Sequence, residues 1–397
     1  MILNLKYSSS NPALQDIQGN IPNSIHPYLH PYIQVEGEEG ARPGGREEYG
    51  GAPLGNTTKL VSASRSRRFM IQAGQRDLMG GRVGLCLRIP IPNKSVQVWH
   101  SPSQARAHYK NLMVCGSVWG CAVCASKISE RRRAELAKGL SGCHLVRVLI
   151  TYTFQHDRGD RFAELRGDFK QSMKYFYAGR GWQSLKKQYG WIGQITGTET
   201  TWGESNGWHL HEHVLGFLDL ERVEEDKMKG DFYNRFDSSM HKNGRYVSPI
   251  YGVNLRIGDN LASELYPNKW GLDDELTKSN VKNGRGGFSP FQLVEKYLQG
   301  EKWAGDLYIE FATAIKGCKQ LRWSEGLRSL LGLKQDKSDQ ELASEAVDFF
   351  DILLATLTAE DWKIVLANDA RAKLLDVADG GDPAEVISFL QSLGCNI

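Results

Sequence analysis

The chain has 397 residues, 41% of them hydrophobic and 24% charged, which is material for two or three soluble units with ample cores. No run approaches membrane-spanning length, and the amino terminus, MILNLKYSSSNPALQD, lacks the apolar stretch and cleavage site of a secretory signal, so no membrane partner and a cytoplasmic location are expected. The net charge of +3 hides a division: residues 335 to 397 carry 4 lysines and arginines against 13 aspartates and glutamates, a net of −9, which leaves +12 for the rest. A basic body with an acidic tail suits a polyanion-binding protein, although a solvated acidic helical face would give the same count.

Residues 1 to 65 read as a flexible arm or linker, since VEGEEGARPGGREEYGGAPLGNTTKL is dense in Gly, Glu and Arg without apolar periodicity. The cluster Arg65-Ser-Arg-Arg68 that follows could touch phosphates. Between 81 and 145 come strand-like pieces, Arg82 to Ile89 and Val96 to Trp99, then crowded cysteines, then a charged helix from Ser126 to Leu140. LVRVLITYTF (145 to 154) is β-branched and apolar enough for a buried strand, and helical composition continues to about 189. WIGQITGTETTW (191 to 202), a Gly-Glu-Ser-Asn-Gly turn and the segment after it form a predicted hairpin that brings Glu199 toward the second strand. A helix from Leu220 to His241, a strand over YVSPIYGVNLRI (246 to 257) and a helix from Asp259 to Leu265 are expected next. The acidic section from 336 to 397 reads as a small helical unit, with start signals at Ser338 and Glu341, Thr358 and Asp361, and Asp382-Pro383 and Glu385.

Two constellations carry chemistry. Cys115-x5-Cys121-x2-Cys124 is a partial zinc pattern, because a Cys-x2-Cys knuckle sets two thiolates on one ion and a third cysteine lies close by. Cys86 is the first choice for the fourth ligand, with Cys143 and His108 as alternatives. Lys127, Arg131, Arg132 and Arg133 on the following helix could dock such a module on a nucleic-acid backbone.

The second constellation is Trp-His-Leu-His-Glu-His-Val at 208 to 214. A strand turns alternate side chains to one face, so His209, His211 and His213 would project together, with Leu210 and Val214 on the other side. With Glu199 they make a nitrogen and oxygen set without thiolate, suited to a divalent ion such as Mg²⁺, Mn²⁺ or Zn²⁺ with open positions. Beside a phosphodiester, such an ion would polarise the phosphoryl group.

The blocks CGSVWGCAVCASKISERRRAEL, LITYTFQH, TGTETTWGESNGWHLHEHVLGF, ELYPNKWGLDDELTKS, FSPFQLV and IKGCKQLRWSEGLRSLLGL, in this order, resemble the rolling-circle plasmid replication initiators of the His-hydrophobic-His (HUH) endonuclease superfamily. The resemblance covers roughly residues 81 to 335. It implies an α+β fold, a central antiparallel sheet flanked by helices in a catalytic domain at 146–335, which joins the zinc-binding module at 81–145 and the helical carboxyl-terminal region read from the residues. It also implies two strand histidines on a divalent metal, Mg²⁺ or Mn²⁺, and a tyrosine that attacks DNA. The family pattern puts the central pair at His211 and His213, with His209 upstream. Glu212 departs from that pattern, standing where a hydrophobic residue is usual, which leaves open a surface position, an extra ligand, or His209 and His211 as the working pair.

The family's Tyr-x-x-Lys element matches Tyr266-Pro-Asn-Lys269, which makes Tyr266 the implied nucleophile and Lys269 its cationic neighbour. Tyr297 is the rival. The glutamate that some relatives carry one turn before the tyrosine is replaced by Ala262, and Glu264 is out of phase with it. The implied activity is strand-specific nicking and rejoining of plasmid origin DNA, single-stranded at the nick, with a host helicase, a host polymerase or a second copy of the chain as further candidate partners. The other classes compatible with the residues are a metal-dependent hydrolase without a covalent intermediate and a zinc-containing DNA-binding regulator without catalysis.

Overall fold

A computed structural model describes residues 54–220, 223–258, 287–344 and 350–397. In chain order these hold helices α1 (Leu54–Met79) and α2 (Gly81–Leu85), strands β1 (Val96–Ser101) and β2 (Arg106–Lys110), helix α3 (Ala122–Leu140), strand β3 (Val146–Thr153), helices α4 (Phe162–Phe176) and α5 (Gly179–Gln188), and strands β4 (Trp191–Gly203) and β5 (Gly207–Leu218). Then follow α6 (Glu225–His241), β6 (Val253–Ile257), α7 (Pro290–Leu298), α8 (Lys302–Ala314), β7 (Leu321–Trp323) and α9 (Leu327–Leu330). The last elements are α10 (Asp339–Ser344), β8 (Ile352–Leu357), α11 (Ala359–Ala367), α12 (Arg371–Ala378) and α13 (Pro383–Ser392). The expected antiparallel sheet flanked by helices is present: five strands in the order β6-β3-β5-β4-β7, every pairing antiparallel. Among the described residues no helix is long and apolar enough to cross a membrane.

The β4–β5 hairpin sets the register of the whole sheet. Along β5 the even positions Trp208, Leu210, Val214 and Leu218 enter a large core with Ile150 and Tyr152 of β3, Phe162, Phe169 and Phe176 of α4, and Phe232 and Phe236 of α6. The odd positions Leu215 and Phe217 pack on the other face, against Leu136 and Leu140 of α3 and Leu327 of α9. Each such side chain is worth about 1.5–3 kcal/mol when buried, and a one-residue slip would exchange the two faces. The apolar half of β5 therefore holds the three histidines that precede it on the α3 side.

A second sheet, β2-β1-β8, is also antiparallel. Its third strand comes from the carboxyl-terminal section, so the three helices that begin at the expected capping signals are accompanied by a strand, Ile352–Leu357, paired with β1.

Three local expectations are corrected. Residues 54 to 65, expected to be arm, belong to the 26-residue helix α1. Its inward face recurs at helical spacing but is largely polar: Ser64, Arg65, Gln72 and Gln75 are buried beside Phe69 and Ile71. Arg65 pairs with Asp376 and Asp379, Arg67 with Glu295, and Gln75 accepts from the Ala122 amide and donates to Tyr308. Arg82 to Ile89 is not a strand. Gly80 and Gly81, at φ 56° and 53°, end one helix and start the short α2, which delivers Cys86 inward. Only Val253–Ile257 of the 246–257 segment is strand; Pro249 has no amide hydrogen to donate, and Tyr246, Ile250 and Tyr251 are exposed in the preceding loop.

Candidate metal centres

His211 lies directly opposite Glu199 across the hairpin, and His213 lies opposite Gly197, so Glu199 reaches His213 on the diagonal without an intervening side chain. Both imidazole Nε2 atoms face one carboxylate oxygen, Glu199 Oε2, at 3.0 Å from His211 and 2.9 Å from His213. Cis ligands of an octahedral ion with bonds of about 2.1 Å lie about 3.0 Å apart, so the donor spacing fits a small divalent cation. On its other side His213 Nδ1 is 2.9 Å from Thr151 Oγ1, the residue opposite it on β3. When Nε2 gives its lone pair to an ion, Nδ1 carries the proton and Thr151 accepts it, which orients the ring. Glu199 and His211 are buried and His213 is half-buried, so water weakens these interactions little.

His209 continues the row. Its ring centroid is 4.9 Å from that of His211, the same separation as between His211 and His213. Its Nδ1 is 2.8 Å from His156 Nε2, and His156 Nδ1 is 2.9 Å from the Asn206 carbonyl oxygen. The trio that converges is thus Glu199, His211 and His213, with His209 adjacent. Glu212 points the other way. It is buried on the opposite face of the sheet, where Arg322 of β7 forms an ion pair with it and Thr198 donates to it. In this geometry Glu212 is neither a surface residue nor a metal donor.

The cysteines gather as well. The sulfurs of Cys86, Cys115, Cys121 and Cys124 all lie within 4.8 Å of one another, with separations of 3.5 Å (Cys86 and Cys124), 3.6 Å (Cys115 and Cys124) and 3.9 Å (Cys86 and Cys121). A tetrahedral ion with metal–sulfur bonds of about 2.3 Å requires sulfur separations of about 3.8 Å, so the cage fits Zn²⁺. Cys121 caps α3 and Cys124 sits in its first turn, where the helix dipole favours thiolate. Gly116, which follows Cys115, has the left-handed backbone of φ 63° that favours glycine. The Cys115 and Ser117 amides donate to Cys86 and Cys115 sulfur, and Gln72 donates to Cys121. The Cys121 thiol is held well below its ordinary value by its hydrogen bonds with Cys115, Cys124 and Cys86.

Neither alternative fourth ligand belongs to this cage. Cys143 packs beside the Leu215 cluster, and His108 faces Asp351 at 3.2 Å, with burial pushing it down to about 4.

The basic helix is less open than its sequence suggests. Arg132 is buried in an ion pair with Asp339, Lys127 and Arg131 are half-buried, and Arg133 alone of the four is exposed, paired with Glu130. Tyr266 and Lys269, with Ala262 and Glu264, lie outside the described residues. Tyr297 is in α7, whose Leu293 and Val294 enter the core on the face opposite the histidines, and its ring lies against Gly305 of α8.

Sequence reasoning missed Thr151, His156, Arg322 and Gln72. The first two stand in the block LITYTFQH, where a hydroxyl on the strand next to the histidines and a histidine just beyond its end were the available signals. Arg322 and Gln72 are far from their partners in sequence and gave none.

No family profile matches the chain, and no solved structure matches it. A protein named Protein rep, from Streptomyces lividans, is 24% identical over 360 residues, covering 69% of this chain and 77% of that protein. A neomycin resistance protein from Streptomyces cyanogenus is 27% identical over 131 residues, covering 26% of this chain and 30% of that one. The chain is thus similar to a Rep protein across more than two thirds of its length, which bears out the expected likeness to a Rep protein.

Proposed function

We propose that this protein is a replication initiator that nicks one strand of plasmid origin DNA, leaves a 3′-hydroxyl for a polymerase, and later rejoins the strand. The observation that carries the reading is the convergence of His211, His213 and Glu199 on one point of the sheet, in a chain similar to a Rep protein. A divalent ion bound there would polarise the scissile phosphoryl group and offset its charge in the transition state. Glu199, His211 and His213 would hold the ion, and Thr151 would keep His213 turned toward it. The loop before β6 exposes Tyr246, Ile250 and Tyr251, and its backbone bonds to residues 153 and 155 at the end of β3; such aromatic surface suits a single strand.

The nucleophile follows from the Tyr-x-x-Lys pattern. Tyr266 Oη bonds to phosphorus, the bond to the 3′-oxygen breaks, and that oxygen leaves as a 3′-hydroxyl, with the 5′-phosphate held on tyrosine. Lys269 would favour the phenolate, whose ordinary pKa near ~10 makes it scarce at neutral pH. Attack by a 3′-hydroxyl on the same phosphorus reverses the step and rejoins DNA without ATP. The four-cysteine cage would hold a structural zinc.

The test is incubation with supercoiled and single-stranded origin DNA plus Mg²⁺ or Mn²⁺. Nicks and a denaturation-resistant protein–DNA adduct are expected, and Tyr266→Phe abolishes the adduct. An adduct that persists in Tyr266→Phe overturns the nucleophile assignment. Nicks with no adduct would indicate a metal-dependent hydrolase, and binding with no nick a zinc-containing regulator.

A further inference from the structure

We propose that His156 is a positioning residue that fixes the tautomer of His209, so that His209 offers the Nε2 lone pair as a further nitrogen donor beside the Glu199, His211 and His213 centre. The inference rests on the metal reading above and concerns a residue outside the alternating histidines.

The argument is one of donors and acceptors. A carbonyl oxygen only accepts, so the 2.9 Å contact to the Asn206 oxygen puts the His156 proton on Nδ1. Nε2 of a neutral His156 then accepts, and its 2.8 Å neighbour, His209 Nδ1, must donate. A neutral imidazole carries one proton, so His209 Nε2 holds the lone pair. With both rings neutral, a single backbone carbonyl thereby sets the tautomer of a ring one histidine away. The His209 ring follows that of His211 at the same 4.9 Å centroid separation as His211 and His213, with the planes at 62° rather than 80°, so His209 stands next in the row beside the two rings whose Nε2 atoms share one carboxylate oxygen.

The loop that presents His156 is braced. The Asp157 amide donates to Asp160, Arg245 holds Asp160 at 3.0 Å and Asp168 at 2.9 Å, and the Gln155 amide donates to the Tyr246 carbonyl. At the hairpin tip Gly207, at φ 71°, lies so close to the Arg158 backbone that a Cβ would sit 2.9 Å from it. Loop and hairpin therefore meet at a fixed distance, and His156 has a defined place opposite Asn206. A partner that fixes a ligand's tautomer is worth about 10–100-fold in metal affinity.

The experiment uses the full chain. Long-range proton–nitrogen NMR of ¹⁵N-histidine protein, with His209 assigned by His209→Ala, reads the tautomer directly, and the Nδ1–H form is expected. Mn²⁺ titration followed by electron paramagnetic resonance should show His156→Phe weakening binding by about 10–100-fold. His209→Ala should do the same and the double variant no more, while His156→Gln, whose amide can both donate to Asn206 and accept from His209, recovers most of the loss. Zinc content and thermal midpoint, measured alongside, report folding. An Nε2–H tautomer at His209, wild-type Mn²⁺ affinity in His156→Phe, or losses that add in the double variant would overturn the inference. Failure of the wild-type protein to bind Mn²⁺, or unchanged binding in His211→Ala, would instead overturn the metal reading itself, and the tautomer measurement would still decide the role of His156.

Discussion

Replacing Thr151 by valine removes one oxygen from the second layer of the candidate metal centre and almost nothing else. Thr151 is half-buried in the middle of β3, paired with His213 on one side and Asn254 on the other, and valine is nearly isosteric and at home in a strand. The folded state loses the 2.9 Å bond from Oγ1 to His213 Nδ1, a neutral hydrogen bond worth about 0.5–1.5 kcal/mol. Thermal stability should therefore change by less than about 1.5 kcal/mol. Metal affinity should change more, because without the hydroxyl the His213 ring is free to rotate and to carry its proton on Nε2, the atom that must face the ion. Outer partners of this kind are worth about 10–100-fold, or about 1.4–2.7 kcal/mol. Calorimetric titration with Mn²⁺ against thermal unfolding of the apo protein separates the two quantities, and Thr151→Ser should restore affinity. Nicking should fall at limiting Mn²⁺ and recover at saturation. An unchanged Mn²⁺ dissociation constant in Thr151→Val would falsify the assignment of His213 as a donor oriented through Nδ1.

The remaining expectations probe other parts of the molecule. Glu212→Gln should leave Mn²⁺ affinity untouched, since Glu212 faces away from the histidines, and should cost about 1–2 kcal/mol of stability, a buried-pair loss discounted because the Arg322 side chain is 43% exposed; a drop in affinity as large as that of Glu199→Gln would refute the face assignment. The purified protein should carry one zinc per chain, and Co²⁺ in its place should give the visible spectrum of tetrahedral thiolate. Cys124→Ser or a strong chelator should remove that signal and lower the thermal midpoint, and a zinc content unaffected by Cys124→Ser would refute the cage. Asp361 accepts from Thr358 Oγ1 at 2.6 Å and from the Asn396 amide at 2.9 Å, and the Thr358 bond chiefly holds its carboxyl below the ordinary value. A depressed folded pKa adds stability above the unfolded value near ~3.9 and loses it as pH falls through the folded value. Asp361→Asn should thus cost about 1–2 kcal/mol at neutral pH, with the gap to wild type closing in acid; a gap independent of pH down to the acid limb would show that the charge plays no part.

Much of the five-stranded sheet was legible because its signals are local. The β4 and β5 runs are long, β-branched and joined by a short polar turn, and the step from the histidines into Val214, Leu215, Phe217 and Leu218 fixed which side is apolar. The capping signals at Thr358 and Asp382 likewise act within one turn, and helices begin there. The readings that failed share another cause. Helix α1 hid because its buried stripe is made of Arg65, Gln72 and Gln75, whose burial is tolerable only with partners 47 to 311 residues away. The segment 82 to 89 looked like a strand because apolar residues there serve a turn into the cysteine cage, not a sheet.

The sequence by itself determined the chemistry on offer: alternating imidazoles with a carboxylate across a hairpin, three cysteines at metal spacing, and the ordered blocks that resemble Rep proteins. These are properties of residue type and short separation, governed by the period of a strand or the first turn of a helix. Only the tertiary structure decided which atoms meet. It drew Cys86 rather than Cys143 or His108 into the cage, turned Glu212 to Arg322, and buried Arg132 on Asp339. It also set Thr151 and His156 behind the histidines. The physical reason is the same in each case. A buried polar atom must find its partner somewhere in space, and a sequence states only that the partner is needed, not where the chain will bring it.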